Sequence, residues 1–171
     1  MYVIRTAGEE DAEAIARTVN AAFEVERPVR GPIGNRTSAE NVRELMRGGN
    51  IFFVAEEGGK IAGAVFVRIA KRADSEDAKR AESEEKTGYF GMLAVDPTLQ
   101  HSGVGRILRE QVERYAKDHG CALMTLTTGE FRTELIPYYE RAGYKTVAVE
   151  PGPAAWGFAK PFRVVHMAKV L

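Results

Sequence analysis

A mixed α/β fold is what the sequence predicts, and three observations predict it. Two apolar runs, "GYFGMLAV" and "CALMTLTT", have the length and side-chain content of buried strands. Between them Val104, Ile107, Leu108, Val112 and Tyr115 recur at three- and four-residue steps, the spacing of a helix with one apolar face. Strand and helix signals follow one another along the chain as β-α-α-β-β-β-α-β-α-β-β. No internal repeat or linker-like stretch interrupts them, so residues 1–171 are expected to form a single domain.

The elements follow in order. "YVIRTA" reads as a short strand. "GEEDAEAIARTVNAAF" reads as a helix with Ile15, Ala16, Val19, Ala22 and Phe23 on its apolar face, and with Glu9, Glu10 and Asp11 in its first turn, where acids suit the dipole. Two prolines and two glycines make "EVERPVRGPIGN" a loop. "TSAENVRELMRGGN" is expected to be a short helix, with Thr37 and Glu40 at capping-box spacing and Gly48–Gly49 ending it. A hairpin turns at Glu57-Gly58-Gly59. Residues 71–86, "KRADSEDAKRAESEEK", hold five basic and six acidic residues and no large apolar one, so an exposed charged loop is expected there. Asp96-Pro97 ends the central strand, and a helix runs from Gly103 to about Asp118 with Gly120 as its stop. Thr133 is placed to cap a helix in "ELIPYYERA", where Pro137 falls in the first turn and Gly143 follows the end. "YKTVAVE" and "FRVVHMAKVL" are late strands joined by the loop "PGPAAWGFAKP".

Composition excludes several classes of function. Lys plus Arg and Asp plus Glu both number 24, and a balanced charge argues against a nucleic-acid partner. Cys121 is the lone cysteine, and His101, His119 and His166 lack metal-ligand spacing, so neither a disulfide nor a metal site is expected. No apolar stretch approaches the roughly 20 residues of a membrane span. "MYVIRTAGEEDAEA" has no apolar core of the kind a signal peptide needs, so no membrane partner and a cytoplasmic location are expected.

The informative segment is "QHSGVG", Gln100 to Gly105, between the central strand and the long helix. Glycines at a helix start allow an anion to approach unpaired N–H groups at the positive end of the dipole. The dinucleotide fingerprint requires a third glycine where Leu108 stands, and no Gly-Lys-Ser/Thr exists anywhere in the chain, so neither familiar nucleotide loop is present.

"MLAVDPTLQHSGVGRILREQVERYA" resembles instead the Gcn5-related N-acetyltransferases, in which a strand ending in a "lAVdP"-like run leads to Q/R-x-x-G-x-G/A and a long helix. Gln100, Gly103 and Gly105 fall on the named positions. "LIPYYERAGY" is similar to the family's "lYeklGF" helix, with Tyr139 on the tyrosine and Gly143 on the glycine, and "IRTAGEEDAEAIARTVNAAF" is similar to its opening. The resemblance implies a mostly antiparallel sheet of about six to seven strands flanked by about four helices, splayed between the fourth and fifth strands. It implies acetyl-CoA as co-substrate. Its pyrophosphate would face Gln100, His101, Ser102, Gly103, Val104, Gly105 and Arg106, and its pantetheine would meet the main chain of "LAV", Leu93, Ala94 and Val95. It implies direct attack of an amine on the thioester, with a main-chain N–H such as that of Val95 on the thioester oxygen.

Three chemical needs follow for such a reaction: a neutral amine, a stabilised oxygen and a proton for the leaving thiolate. An amine of pKa ~10.4 is neutral only about 0.1% of the time near pH 7.4, a cost of roughly 4 kcal/mol. Family members often place a glutamate on the central strand, yet no carboxylate lies between Tyr89 and Val95. Glu24, Glu26 and Glu130 are the candidates by position. The resemblance makes Tyr139 the acid that protonates the thiolate, with Tyr138 as the neighbouring alternative. Arg132 stands seven residues before Tyr139, where relatives carry a cofactor-binding asparagine, and is itself a candidate to reach a CoA phosphate; Trp156 is a candidate for the acceptor site. The expected acceptor is a small-molecule primary amine. Glu76, Asp77, Glu82, Glu84 and Glu85 favour a polycation such as an aminoglycoside or polyamine. A non-catalytic acyl-CoA sensor and a protein N-terminal or lysine acetyltransferase are the alternatives, and the protein is expected to be a monomer or homodimer.

Overall fold

The computed structural model describes residues 1–32, 34–71 and 85–171. Seven strands form one sheet in the order β1-β2-β3-β4-β5-β7-β6. They are β1 (Val3–Thr6), β2 (Ile51–Glu57), β3 (Lys60–Lys71), β4 (Lys86–Val95), β5 (Cys121–Gly129), β6 (Lys145–Pro151) and β7 (Arg163–Val170). Only β4 and β5 run parallel; the other neighbours are antiparallel. The helices are α1 (Ala12–Ala22), α2 (Arg27–Arg30), α3 (Ala39–Arg47), α4 (Val104–Asp118) and α5 (Leu135–Arg141).

Strand pleating sends alternate side chains to opposite faces, and each face has its own core. On one face α4 and α5 cover Phe53, Val65, Val67, Phe90, Met124 and Met167, with Leu108 and Val112 of α4 fully buried among them. On the other, α1 and α3 cover Phe52, Val54, Ala64, Phe66 and Ala94 with Ile15, Val19 and Val42. The apolar stripes expected from spacing on α1 and α4 therefore face the sheet, although Ala22 and Phe23 at the end of α1 remain partly exposed.

Three local expectations are corrected. Ser38, not Thr37, caps α3: its side chain accepts the Asn41 N–H at 3.1 Å, while the Thr37 hydroxyl donates to the Asn41 side chain at 2.8 Å. Thr133 does not cap α5, which starts at Leu135 after Glu134 and has no side-chain cap. The segment read as the loop "EVERPVRGPIGN" contains a 3-10 turn at Phe23–Glu26 and then α2, a single helical turn. Pro28 is tolerated there because the first turn needs no N–H, and Gly31 at φ +103° ends it. Residues 72–84, most of the segment expected to be a charged loop, lie outside the described residues.

A polar knot ties α4 to the late strands. Glu113 accepts from Arg109 at 2.6 Å, the Tyr144 hydroxyl at 2.8 Å and Lys169 at 2.9 Å. Burial pushes the Glu113 carboxyl up, but the hydrogen bonds from Lys169, Tyr144 and Arg109 outweigh it and hold the acid below the usual carboxylate range. A lowered folded pKa means stability that is present above the unfolded value, near 4.3, and lost as pH falls through the folded one. Glu113→Gln is expected to cost about 1–3 kcal/mol at pH 7 and to flatten the acid limb of the stability profile. Urea midpoints at pH 7 and pH 3.5 measure both.

Candidate active site

The site originates in a fault between β4 and β5. Their ladder joins Lys86–Tyr89 to Cys121–Thr125 and goes no further. Beyond it β4 stays paired with β3 as far as Gly63↔Val95, and β5 with β7 as far as Gly129↔Val164. Each strand is thus held from outside while the two part. The bend is local to β4. Ala64 pairs with Ala94 and Phe66 with Gly91, so β4 spends three steps where β3 spends two, and Met92 takes φ +51°. An extra residue in one strand bends it and increases its twist. Gly91 permits the crowding: a Cβ there would lie 2.7 Å from the Phe66 ring.

The splay leaves main-chain groups without a ladder partner. Asp96 N–H donates to Ala62 O at 2.8 Å, toward β3. Antiparallel alternation then turns the main-chain groups of Val95 and Leu93 toward the gap. Both residues line a cavity of about 1120 Å³ that fills the space between the strands. The Ala94 side chain, 1% exposed, belongs to the opposite core.

The loop expected to hold an anion forms one end of this cavity. Asp96 accepts from the Thr98 N–H at 2.8 Å and the Thr98 hydroxyl at 2.7 Å, fixing a 3-10 turn at Pro97–Leu99. His101 (φ +67°) and Gly103 (φ +88°) are both left-handed and turn the chain into α4. The first helical N–H bonded backward is that of Ile107, to Gly103 O at 3.1 Å. Those of Val104, Gly105 and Arg106 precede it and have no intrahelical acceptor. Gln100, His101, Gly103, Val104, Gly105 and Arg106 line the cavity; Ser102 lies in the same turn without lining it. A Cβ on Gly105 would sit 3.4 Å from Val95 Cγ2 and 3.9 Å from the Tyr138 hydroxyl, at the throat of the cleft.

Helix α5 closes the middle. Tyr139 is 6% exposed, packs on the rings of Phe90 and Tyr144, and lines the cavity. The Tyr144 and Tyr89 hydroxyls are engaged, by Glu113 at 2.8 Å and by Thr127 at 3.1 Å. The Tyr139 hydroxyl has no hydrogen-bond partner among the described residues and remains available to a ligand. Burial, reinforced by Tyr138, pushes its phenol well above the usual tyrosine range, so it holds its proton throughout neutral pH. Tyr138 also lines the cavity, beside Arg109.

The far end is built from segments distant in sequence: Phe23 to Arg30 with Asn35 and Arg36, the turn after β5, and the loop between β6 and β7. Arg132 donates to Glu26 at 3.0 Å and to Glu134 at 2.7 Å, and its guanidinium lies 5.7 Å from the Phe23 ring centre. All four residues line the cavity. Of the three glutamates proposed from position, only Glu26 does. Glu24 is ion-paired with Arg27, and Glu130 with Arg163 at 2.8 Å, both away from the cavity. Trp156 lines it, within an aromatic cluster that sequence reasoning missed: Phe131, Phe158 and Phe162. Arg30 and Arg36 were missed too. The available signal was "WGFAKPF", three aromatics in seven residues of a loop rich in proline and glycine. Among the described residues no group of three His, Cys, Asp or Glu could hold a metal, and no helix is long and apolar enough to cross a membrane.

Comparison with known proteins agrees with this geometry. A model of the acetyltransferase (GNAT) family matches residues 16–144. A mycothiol acetyltransferase from Cellulomonas flavigena is 30% identical over 107 residues, which are 60% of this chain and 30% of that protein. The chain spans roughly a third to a half of the length of the curated relatives it matches. A ribosomal-protein-alanine N-acetyltransferase from Brucella melitensis superposes with TM-score 0.73 at 18% identity, covering 99% of both chains. The Salmonella typhimurium protein yncA, whose structure contains its cofactor acetyl-CoA, superposes with TM-score 0.73 at 19% identity over 99% of this chain and 94% of that one. With the family model covering three quarters of the residues and the split sheet in place, the chain belongs to the acetyltransferase (GNAT) family.

Proposed function

We propose that the protein transfers an acetyl group from acetyl-CoA to the primary amine of a small molecule. The observation that carries this reading is the continuity of one cleft: unpaired N–H groups at the start of α4, unpaired main chain at Leu93 and Val95, and the free Tyr139 hydroxyl all face it. These features suit the donor. The α4 N–H groups and Arg106 suit a pyrophosphate, and an open strand edge suits the amide-bearing pantetheine. Acetyl-CoA supplies an activated acyl group: the amine nitrogen bonds to the carbonyl carbon, the C–S bond breaks, and its electron pair goes to sulfur.

The chain's own groups serve the remaining steps. The Val95 N–H, turned into the gap, is placed to donate to the thioester oxygen. Tyr139 gives its hydroxyl proton to the leaving sulfur, the acylated nitrogen, positively charged on attack, sheds a proton to solvent, and the phenolate regains one from the same solvent. The burial that raises the phenol also disfavours a bare thiolate, so both groups seek the proton in the same dry place. The proton that the amine loses before attack has two routes, Glu26 and water. Glu26 is already engaged by Arg132 at 3.0 Å, so an amine of lowered pKa, which needs no strong base, is the easier acceptor.

Acetyl-CoA-dependent release of thiol with a panel of amines tests the reading; binding of acetyl-CoA without release over the panel would favour a sensor instead. Gly105→Val tests the donor site. The added methyls would occupy the throat between Val95 and Tyr138, so the acetyl-CoA Kd is expected to rise at least about tenfold, roughly 1.4 kcal/mol, with little change in Tm. An unchanged Kd by calorimetry would move the donor off this loop.

A further inference from the structure

We propose that the acceptor is an α-amino acid with an aromatic or other large apolar side chain, its carboxylate bound by Arg30 and Arg36 and its side chain by the rings of the loop between β6 and β7. The proposal rests on the acetyltransferase reading above and narrows its acceptor.

Charge at the far end of the cavity carries the first half. Three arginines and two glutamates line it: Arg30, Arg36, Arg132, Glu26 and Glu134. Both glutamates are held by Arg132. Arg30 and Arg36 have no carboxylate partner among the described residues. Arg30 donates from Nη1 to Gly34 O at 2.8 Å, and its Nε is buried with no partner among the described residues. Glu24, the acid that feels the Arg30 charge through space, is held by Arg27 outside the cavity. Arg36 rests over the Phe23 ring, 5.3 Å from its centre. A buried donor without an acceptor is costly, and a planar guanidinium suits a carboxylate. Among the described residues lining this end, a polycation meets the opposite: two cations without a carboxylate partner, and two acids already held by Arg132.

The aromatic cluster carries the second half. Phe158 stacks on Phe162 at 4.5 Å, Trp156 on Phe162 at 5.8 Å, and Phe131 meets Phe162 edge-on at 5.7 Å. Trp156 is 52% exposed at the cavity rim. A cluster of four rings left partly open to a cavity is a surface for an apolar or aromatic body.

The two halves are joined. Ala159 N–H donates to Arg30 O and Lys160 N–H to Val29 O, both at 3.1 Å, and the Ala159 Cβ packs where Gly31 has none. The arginine-bearing turn and the ring-bearing loop are therefore stitched edge to edge. A molecule held by both has its carboxylate and its apolar group on adjacent walls. In an α-amino acid the nitrogen sits on the one carbon that bears both, and the chemistry at that nitrogen is the transfer already described.

The test compares kcat/KM at saturating acetyl-CoA for phenylalanine, tryptophan and leucine, for phenethylamine and tryptamine, which lack the carboxylate, and for spermidine. The amino acids are expected to exceed their decarboxylated counterparts by at least tenfold, and spermidine by more. In Arg36→Gln and Arg30→Gln that preference should collapse toward one. Calorimetry of N-acetylphenylalanine binding to the CoA-loaded protein gives a second readout, and it should weaken at least tenfold in either variant. Equal use of phenethylamine, preference for spermidine, or binding of N-acetylphenylalanine that neither variant weakens would each overturn the proposal. Failure of the underlying reading is distinct: no amine on the panel would release thiol, although the protein stays folded.

Discussion

Tyr139→Phe is expected to lower kcat by about a hundredfold or more while the acetyl-CoA Kd stays within about twofold. The substitution removes one oxygen and keeps the ring. The ring is what packs on Phe90 and Tyr144, at 6.0 and 5.8 Å, so the core is left intact. The hydroxyl bonds to no described residue, so its loss orphans no partner and Tm should hardly move. A fall in kcat without a fall in Tm or donor affinity can only come from a group used during the reaction. Tyr138→Phe is the internal control. That hydroxyl lies beside Arg109 and near Gly105, closer to the donor loop, and its removal is expected to act on the acetyl-CoA Kd more than on kcat. The reverse pattern, Tyr138→Phe losing kcat and Tyr139→Phe silent, would reassign the acid and return Tyr139 to the core. A thiol-sensitive dye under single-turnover conditions separates transfer from product release.

Much of this site was legible because its donor half is contiguous in sequence. The run from Leu93 to Arg106 contains the strand, the turn and the helix start, and glycine spacing with an apolar stripe suffices to order them. The order of strands and helices was legible for the same local reason. The bulge at Met92 was not: nothing in "GYFGMLAV" says that one residue will step out of register, since the cause is the match to β3 and the Phe66 ring over Gly91. The acceptor half was not legible either. It joins Phe23–Arg30 and Arg36 to Phe131–Glu134 and Trp156–Phe162, and only the tertiary fold brings them together. Position alone made Glu24, Glu26 and Glu130 equivalent. Pairing distinguishes them, because Arg27 and Arg163 hold two of them outside the cavity while Arg132 draws the third inside.

That third pair sets the other large effect. Arg132 and Glu26 have side chains 14% and 9% exposed and join the end of the α1 region to the turn after β5. Removing one member of such a pair leaves the other charged and dry, which costs about 3 kcal/mol, whereas removing both costs much less. Arg132→Met is therefore expected to lower stability by about that amount, and Glu26→Gln combined with Arg132→Met to recover most of it. The position, seven residues before Tyr139, instead suggested Arg132 for a CoA phosphate, although relatives carry an asparagine there. The two roles separate cleanly in measurement. A strut at the acceptor end predicts a large Tm loss, a raised acceptor KM and an acetyl-CoA Kd changed by less than about threefold. A donor contact predicts the Kd change without the rescue by Glu26→Gln. Because Arg132 holds both glutamates lining this end, its loss also leaves the Glu26 carboxylate without its partner in the cleft, which is why the raised acceptor KM should accompany the lost stability.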